Sequence, residues 1–149
     1  MYNQQPKHQE PIVQLPTNRS LLKFIVLSIV TLGIYSLVFY TRLSKDINEI
    51  AGPHDGRHTM HFCLLAFIIS PITCGIAMVV WFHKVSARIG NDLACRGIAY
   101  NFGAFEYWLW SVAGIFILVG PLVYMHKLCK AMNLLSADHN VNGYACKSN

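Results

Sequence analysis

Apolar residues gather in three long runs separated by polar, basic connectors. Phe24 to Thr41 spans 18 residues without Asp, Glu, Lys or Arg, Phe62 to Phe82 spans 21, and Tyr107 to Met125 spans 19. At 1.5 Å of rise per residue, about 20 helical residues cross a hydrocarbon core of about 30 Å. Lipid offers the backbone no partners, so such segments are helical. The pattern predicts three spanning helices. Tyr40, Trp81, Phe82, Tyr107, Trp108 and Trp110 lie near the run borders, where an interfacial aromatic belt is expected.

The runs repeat. Each is interrupted by glycine or proline and then continues into a basic segment: TLGIYSLVFYTRLSKDINEIA, TCGIAMVVWFHKVSARIGNDLA and LVGPLVYMHKLCKAMNLLSA. Thr31, Gly33 and Ile34 match Thr73, Gly75 and Ile76, and Arg42 matches Lys84 and Lys127. In the basic segments the apolar residues recur every three or four positions: Leu43, Ile47 and Ile50; Val85, Ile89 and Leu93; Leu128, Met132 and Leu135. Each set forms one helical stripe. Such a stripe either lies in the acyl boundary of a membrane or packs against neighbouring helices, and the spacing does not choose between them. The expected fold is all-α and integral to the membrane: three repeated Gly/Pro-interrupted helical units, each followed by a basic amphipathic helix.

The breaks leave a second arrangement open. Gly33, Pro71, Gly75, Gly120 and Pro121 fall near the run centres, and glycine and proline bend or break helices. Lys and Arg are spread evenly over the four connecting and terminal segments, so three crossings satisfy no positive-inside bias. Three re-entrant helical hairpins would instead put every charge on one side. Spanning helices remain the preferred reading, with a multi-pass cell-membrane location.

Composition agrees with a bilayer setting. Hydrophobic residues make up 54% of the 149 positions and charged residues 13%, against roughly 25% charged in soluble domains. The net charge of +5 suits anionic head groups, and no nucleic-acid-binding signature is present. Residues 1–18, rich in Pro and Gln, read as a disordered tail. Residues 19–140 read as the membrane domain, with repeats at about 19–52, 58–97 and 103–138, and residues 141–149 as a C-terminal tail. Five cysteines without a CxxC pair favour reduced thiols over disulfides or zinc.

Candidate chemistry is sparse. The segment PHDGRHTMHFC brings His54, His58 and His61 to helical spacing, a weak candidate for zinc or copper; no metal or other cofactor is expected. No nucleophilic triad, P-loop or intramembrane charge is present. Arg42, Lys45, Lys84, Arg88, Lys127 and Lys130 are the residues expected to contact lipid head groups.

The segments RSLLKFIVLSIVTLGIYSLVFYTRLSKDIN and LVGPLVYMHKLCKAMNLLSADHN resemble the family called domain of unknown function 4234, small bacterial membrane proteins. The resemblance covers roughly residues 19–140. The GIY break followed by an aromatic and a basic residue carries it, as does the GP…KxxKxMN run. Phe39 and Tyr40 stand where that family often has Trp, and Trp81 fills the position in the second copy. The resemblance implies a membrane location and no chemistry. The functional expectation is a non-enzymatic interaction or membrane-organising module at an anionic bilayer surface. Its expected partners are lipids, further copies of the chain or other membrane proteins. The alternative is a small oligomeric channel or transporter subunit.

Overall fold

The structure, a computed structural model, describes residues 11–144 and 146. Helices α1 (Leu21–Val30) and α2 (Ile34–Asp55) form a first hairpin. In the second, one rod runs through α3 (Phe62–Leu64), a π-helical stretch Leu65–Ile69 and α4 (Ser70–Ile72), then turns into α5 (Ile76–Cys95). The third joins α6 (Ala104–Glu106), a π-helical stretch Tyr107–Val112 and a 3₁₀ stretch Ala113–Ile117 to α7 (Gly120–Asn142). No strand occurs among the described residues.

This overturns the expected spanning topology. Among the described residues no helix is long and apolar enough to cross a membrane. Each apolar run is long enough only when counted through its break. The backbone reverses there, so the run becomes two short arms side by side. The integral, multi-pass arrangement is corrected to three helical hairpins.

The first two turns have one construction. Leu32 and Gly33 have φ of 51° and 91°, and Cys74 and Gly75 have 49° and 85°. Successive left-handed residues reverse the chain, and glycine takes the second position without Cβ strain. Gly33 N–H donates to Ser28 O at 2.7 Å and Gly75 N–H to Ser70 O at 2.9 Å. The threonine of each TxGI motif joins the arms. Thr31 Oγ1 donates to Leu27 O (2.7 Å) and accepts from Tyr35 N–H (2.9 Å). Thr73 Oγ1 likewise donates to Ile69 O (2.9 Å) and accepts from Ala77 N–H (3.2 Å). The third turn differs: Leu118 has φ 60°, and Gly120 lies so close to Gly114 that an added Cβ would come within 2.4 Å of Gly114 Cα.

The second arms α2, α5 and α7 form the body. The nine stripe residues are its core: Leu43, Ile47, Ile50, Val85, Ile89, Leu93, Leu128, Met132 and Leu135 are each no more than 1% exposed. The stripes therefore pack on one another and do not lie on a membrane. The aromatic residues expected at the interface mostly turn inward as well. Tyr40, Phe62, Trp81 and Phe82 pack ring against ring, with centroids 4.8–6.2 Å apart, and Tyr107 stacks on Phe82 at 5.9 Å. Trp108 remains exposed.

Arg96 sets the helix directions. Fully buried just past α5, it donates to Asp92 (2.9 Å), Asp138 (2.8 Å), Ile50 O (3.3 Å) and Gly143 O (3.1 Å). These partners lie toward or just beyond the C-terminal ends of α2, α5 and α7. The three helices are therefore parallel, and a cation neutralises their gathered negative ends. Their N-terminal ends, which carry the hairpin turns, share the opposite end of the molecule. His139, fully buried nearby, faces the Tyr144 ring at 5.0 Å. Burial first, then Arg96, hold its pKa below the usual histidine value, against the opposing pull of Glu49 and Asp92.

Described segments before α1 and after α7 dock on this body. Residues 11–20 form no helix or strand; Leu15 is buried, and Asn140 accepts from its N–H and donates to its carbonyl at 2.7 and 2.8 Å. Residues 1–10, part of the segment read as a disordered tail, lie outside the described residues. Cys95 and Cys146 form a disulfide with Cα atoms 5.2 Å apart, and Cys63, Cys74 and Cys129 are free. The expectation of reduced thiols throughout is corrected: the pairing is long-range, and sequence spacing carries no signal for it.

Three outcomes follow for the purified chain. Replacing Arg96 with Met strands two carboxylates and lowers unfolding stability by about 3–5 kcal/mol, readable in a denaturant titration. Alkylation in denaturant without reductant labels Cys63, Cys74 and Cys129, and reductant adds Cys95 and Cys146; five labels without reductant refute the disulfide. His139 binds fewer protons folded than unfolded. Its contribution is therefore complete above pH of about 6.5 and erodes as pH falls below it, at up to about 1.4 kcal/mol per pH unit. A His139→Phe chain has a shallower stability slope between pH 7.5 and 5.5.

Candidate bilayer-facing surface

The end that carries the turns is apolar and uncovered. Leu32 is 94% exposed, Ile72 78% and Phe116 91%. Ile29, Val30, Ile34, Phe67, Ile76, Ile117 and Leu118 are exposed around them. Exposed apolar surface this continuous marks an interaction site. At the first two turns every backbone N–H from Thr31 to Ser36 and from Thr73 to Met78 has a partner within the hairpin.

The tips have a measurable reach. Arg42 lies eleven positions after Thr31, and Lys84 eleven positions after Thr73. At 1.5 Å per residue each arm holds its tip about 16 Å beyond the first cation. Gly120 stands seven residues before Lys127, or about 10 Å. These lengths are about one leaflet of a 30 Å hydrocarbon core.

Charge is sorted between inside and outside. Every described carboxylate is held within the protein. Asp46 pairs with Arg19, Asp55 with Arg88, Glu106 with Lys127, and Asp92 and Asp138 with Arg96. Glu49 accepts from the Tyr144 hydroxyl at 2.6 Å. Burial raises the Asp46 pKa despite Arg19; at Asp55 burial also pushes upward, but Arg88, the Arg57 N–H and His54 together outweigh it and lower the pKa. Lys23, Arg42, Lys45, Arg57, Lys84 and Lys130 make no ion pair among the described residues and are exposed.

This division sorts the residues expected at head groups. Arg42, Lys45, Lys84 and Lys130 project outward, Lys130 also lying 5.1 Å over the Tyr100 ring. Arg88 and Lys127 are spent on Asp55 and Glu106, at 2.7 and 2.6 Å. Gly33 and Gly75 sit in the turns, Pro71 lies in α4 before one, and Gly120 and Pro121 open α7. Lys23 and Arg57 join the cationic set without a repeat position to single them out.

The three histidines do not converge. His54 ends α2 with Nε2 2.7 Å from Asp92, whereas His58 and His61 are exposed on the following loop. Among the described residues His54 instead lies near Cys95 and Cys146, whose sulfurs are joined to each other. Cys129 is buried, and burial pushes its thiol up to about 11.

Two grooves run between hairpins. One of about 610 Å³ lies between α1 and α7, with Arg19 and Lys130 at its edge. The other, of about 1180 Å³, lies between the first and second hairpins.

No curated protein matches the chain, and neither does any solved structure. A family model does match over residues 19–91, the first hairpin and the second through most of α5. The third hairpin and the C-terminal segment lie beyond that match, although the resemblance seen in the sequence extended to about residue 140. Residues 19–91 of the chain belong to the family described as Domain of unknown function (DUF4234).

Proposed function

We propose that this protein is a non-enzymatic module that seats on an anionic bilayer from one side. Its three hairpin tips enter the near leaflet, and its outward cations meet the head groups. The observation that carries this reading is the alignment of three uncovered apolar tips at one end of a parallel bundle. Cations stand about one leaflet depth behind them. The internally consumed carboxylates support it further, because the exposed side chains then present positive charge to lipid phosphates.

The magnitudes favour the tips for affinity and the cations for lipid choice. Burying one exposed Leu, Ile or Phe contributes about 1.5–3 kcal/mol. Each Lys or Arg near an anionic surface adds about 1 kcal/mol, and salt screens it. The apolar contribution acts on any fluid bilayer; the cationic contribution needs anionic lipid.

Flotation of the full chain with vesicles separates the two. Wild-type protein floats with phosphatidylcholine vesicles and more strongly when phosphatidylglycerol is added. Changing Leu32, Ile72 and Phe116 to Ser lowers partitioning onto both vesicle types by more than about a hundredfold. Neutralising Arg42, Lys45, Lys84 and Lys130 to Gln removes the preference for phosphatidylglycerol and leaves binding to neutral vesicles. A tip variant that floats as well as wild type, with its fold intact by circular dichroism, overturns the reading.

A further inference from the structure

We propose that the groove between the first and second hairpins holds a single phospholipid, with its phosphate at Arg57 and Lys84 and its acyl chains along the second hairpin. This deepens the membrane-seating reading and rests on it for the source of the lipid.

The groove is amphipathic along its length. Toward the tips it is lined by Leu65, Ile69, Ile76 and Val80. Of these, Val80 is exposed, and so is Ile76, which opens α5 beside the second turn. The cleft is therefore continuous with the surface assigned to the leaflet. Its mouth is lined by Arg57, His58 and Lys84, at the level of the cations. A phospholipid has this same division: apolar chains at one end and an anionic phosphate at the other.

The charges at the mouth select an anion. Asp55 and Asp92 also line the groove, yet neither carboxylate is free. Arg88 grips Asp55 through Nε (2.7 Å) and an Nη (2.9 Å), and also donates to Thr59 Oγ1 at 2.7 Å. Asp92 is 2% exposed, with Arg96 Nε at 2.9 Å and His54 Nε2 at 2.7 Å. Arg57 and Lys84 make no ion pair among the described residues. The local excess is thus cationic.

Size and lining distinguish the occupant. Pockets for drug-sized molecules enclose roughly 300–1,000 Å³; this groove is about 1180 Å³ and open along one side. A free phosphate would use only the mouth and leave the aliphatic wall bare. A lipid covers both. Burying its chains draws on apolar contact, while the two cations fix its polar end.

The test measures retention apart from seating. Full-length protein is delipidated in nonionic detergent, reloaded with phosphatidylglycerol, passed over a sizing column and assayed for lipid phosphorus. Wild type retains about one phospholipid per chain. The Arg57→Gln, Lys84→Gln chain retains it about thirtyfold more weakly, at about 1 kcal/mol per cation. An Ala77→Phe chain, filled at a groove-lining position away from the fully exposed tip residues, loses it as well. Both variants still float with neutral phosphatidylcholine vesicles, on which the cations do not act, and keep the helical circular-dichroism signal.

Wild type that floats but retains no stoichiometric lipid overturns the groove proposal and leaves the seating reading standing. Retention unchanged in both variants overturns it too. Displacement of the lipid by millimolar inorganic phosphate shows a simple anion site and also refutes the lipid assignment. Failure of wild type to float, with stoichiometric retention intact, sinks the seating reading alone.

Discussion

A single buried guanidinium dictates the geometry of the molecule. Parallel helices gather their negative ends, and a bundle of three parallel helices gathers three of them. Arg96 answers this with four directed contacts: two carboxylates and two main-chain carbonyls. A buried ion pair is weak evidence of net stability, because desolvating charge is costly. Its value here is directional. The carbonyls belong to residues at the ends of different helices, so Arg96 is satisfied only when α2, α5 and α7 point the same way. That common direction places all the tips on one end.

The turns make such an end workable. An apolar hairpin exposed to lipid must hide its own reversal, since each unsatisfied backbone group in hydrocarbon costs several kcal/mol. Thr31 and Thr73 do this with one hydroxyl each, donating to the arm that ends and accepting from the arm that begins. Gly33 and Gly75 supply the backbone angles. The same residues that stop a helix from spanning therefore also satisfy the N–H groups of its reversal. The third hairpin solves the reversal with a tight Gly114–Gly120 contact and has no equivalent threonine.

Much of this was written in the sequence, although its scale was misread. The stripe residues Leu43 through Leu135 were legible as one face of each helix, and all nine form the core. The repeat was legible too, and direct repetition explains the parallel packing. Run length misled because it counts residues without regard to direction. Phe24 to Thr41 is long enough to span only if Leu32 and Gly33 continue the helix, and both have positive φ. The hydropathy of the run is unchanged by folding it in half. Border aromatics misled similarly: Trp81 and Tyr107 fit an interfacial belt, but Trp81 packs on Tyr40 of the first hairpin and Tyr107 stacks on Phe82 of the second. The Cys95–Cys146 pair and the four partners of Arg96 had no local signal, because they depend on which helix ends meet.

The division of charge follows from the same packing. A formal charge of +5 describes a modestly basic chain, but the number says little about what a bilayer meets. Folding draws the described carboxylates into contacts with Arg19, Arg88, Arg96, Lys127 and Tyr144, and the cations left outside make no ion pair among the described residues. Internal pairs with restricted solvent are screened little by salt, whereas exposed cations are screened over a Debye length of about 8 Å at physiological ionic strength. The fold thus separates two electrostatic tasks. One set of charges fixes helix order at the base, and the other remains available to an outside anion. The groove between the first two hairpins lies where these sets meet: Arg88 is spent on Asp55, and Lys84, one helical turn nearer the tip on the same helix, is not.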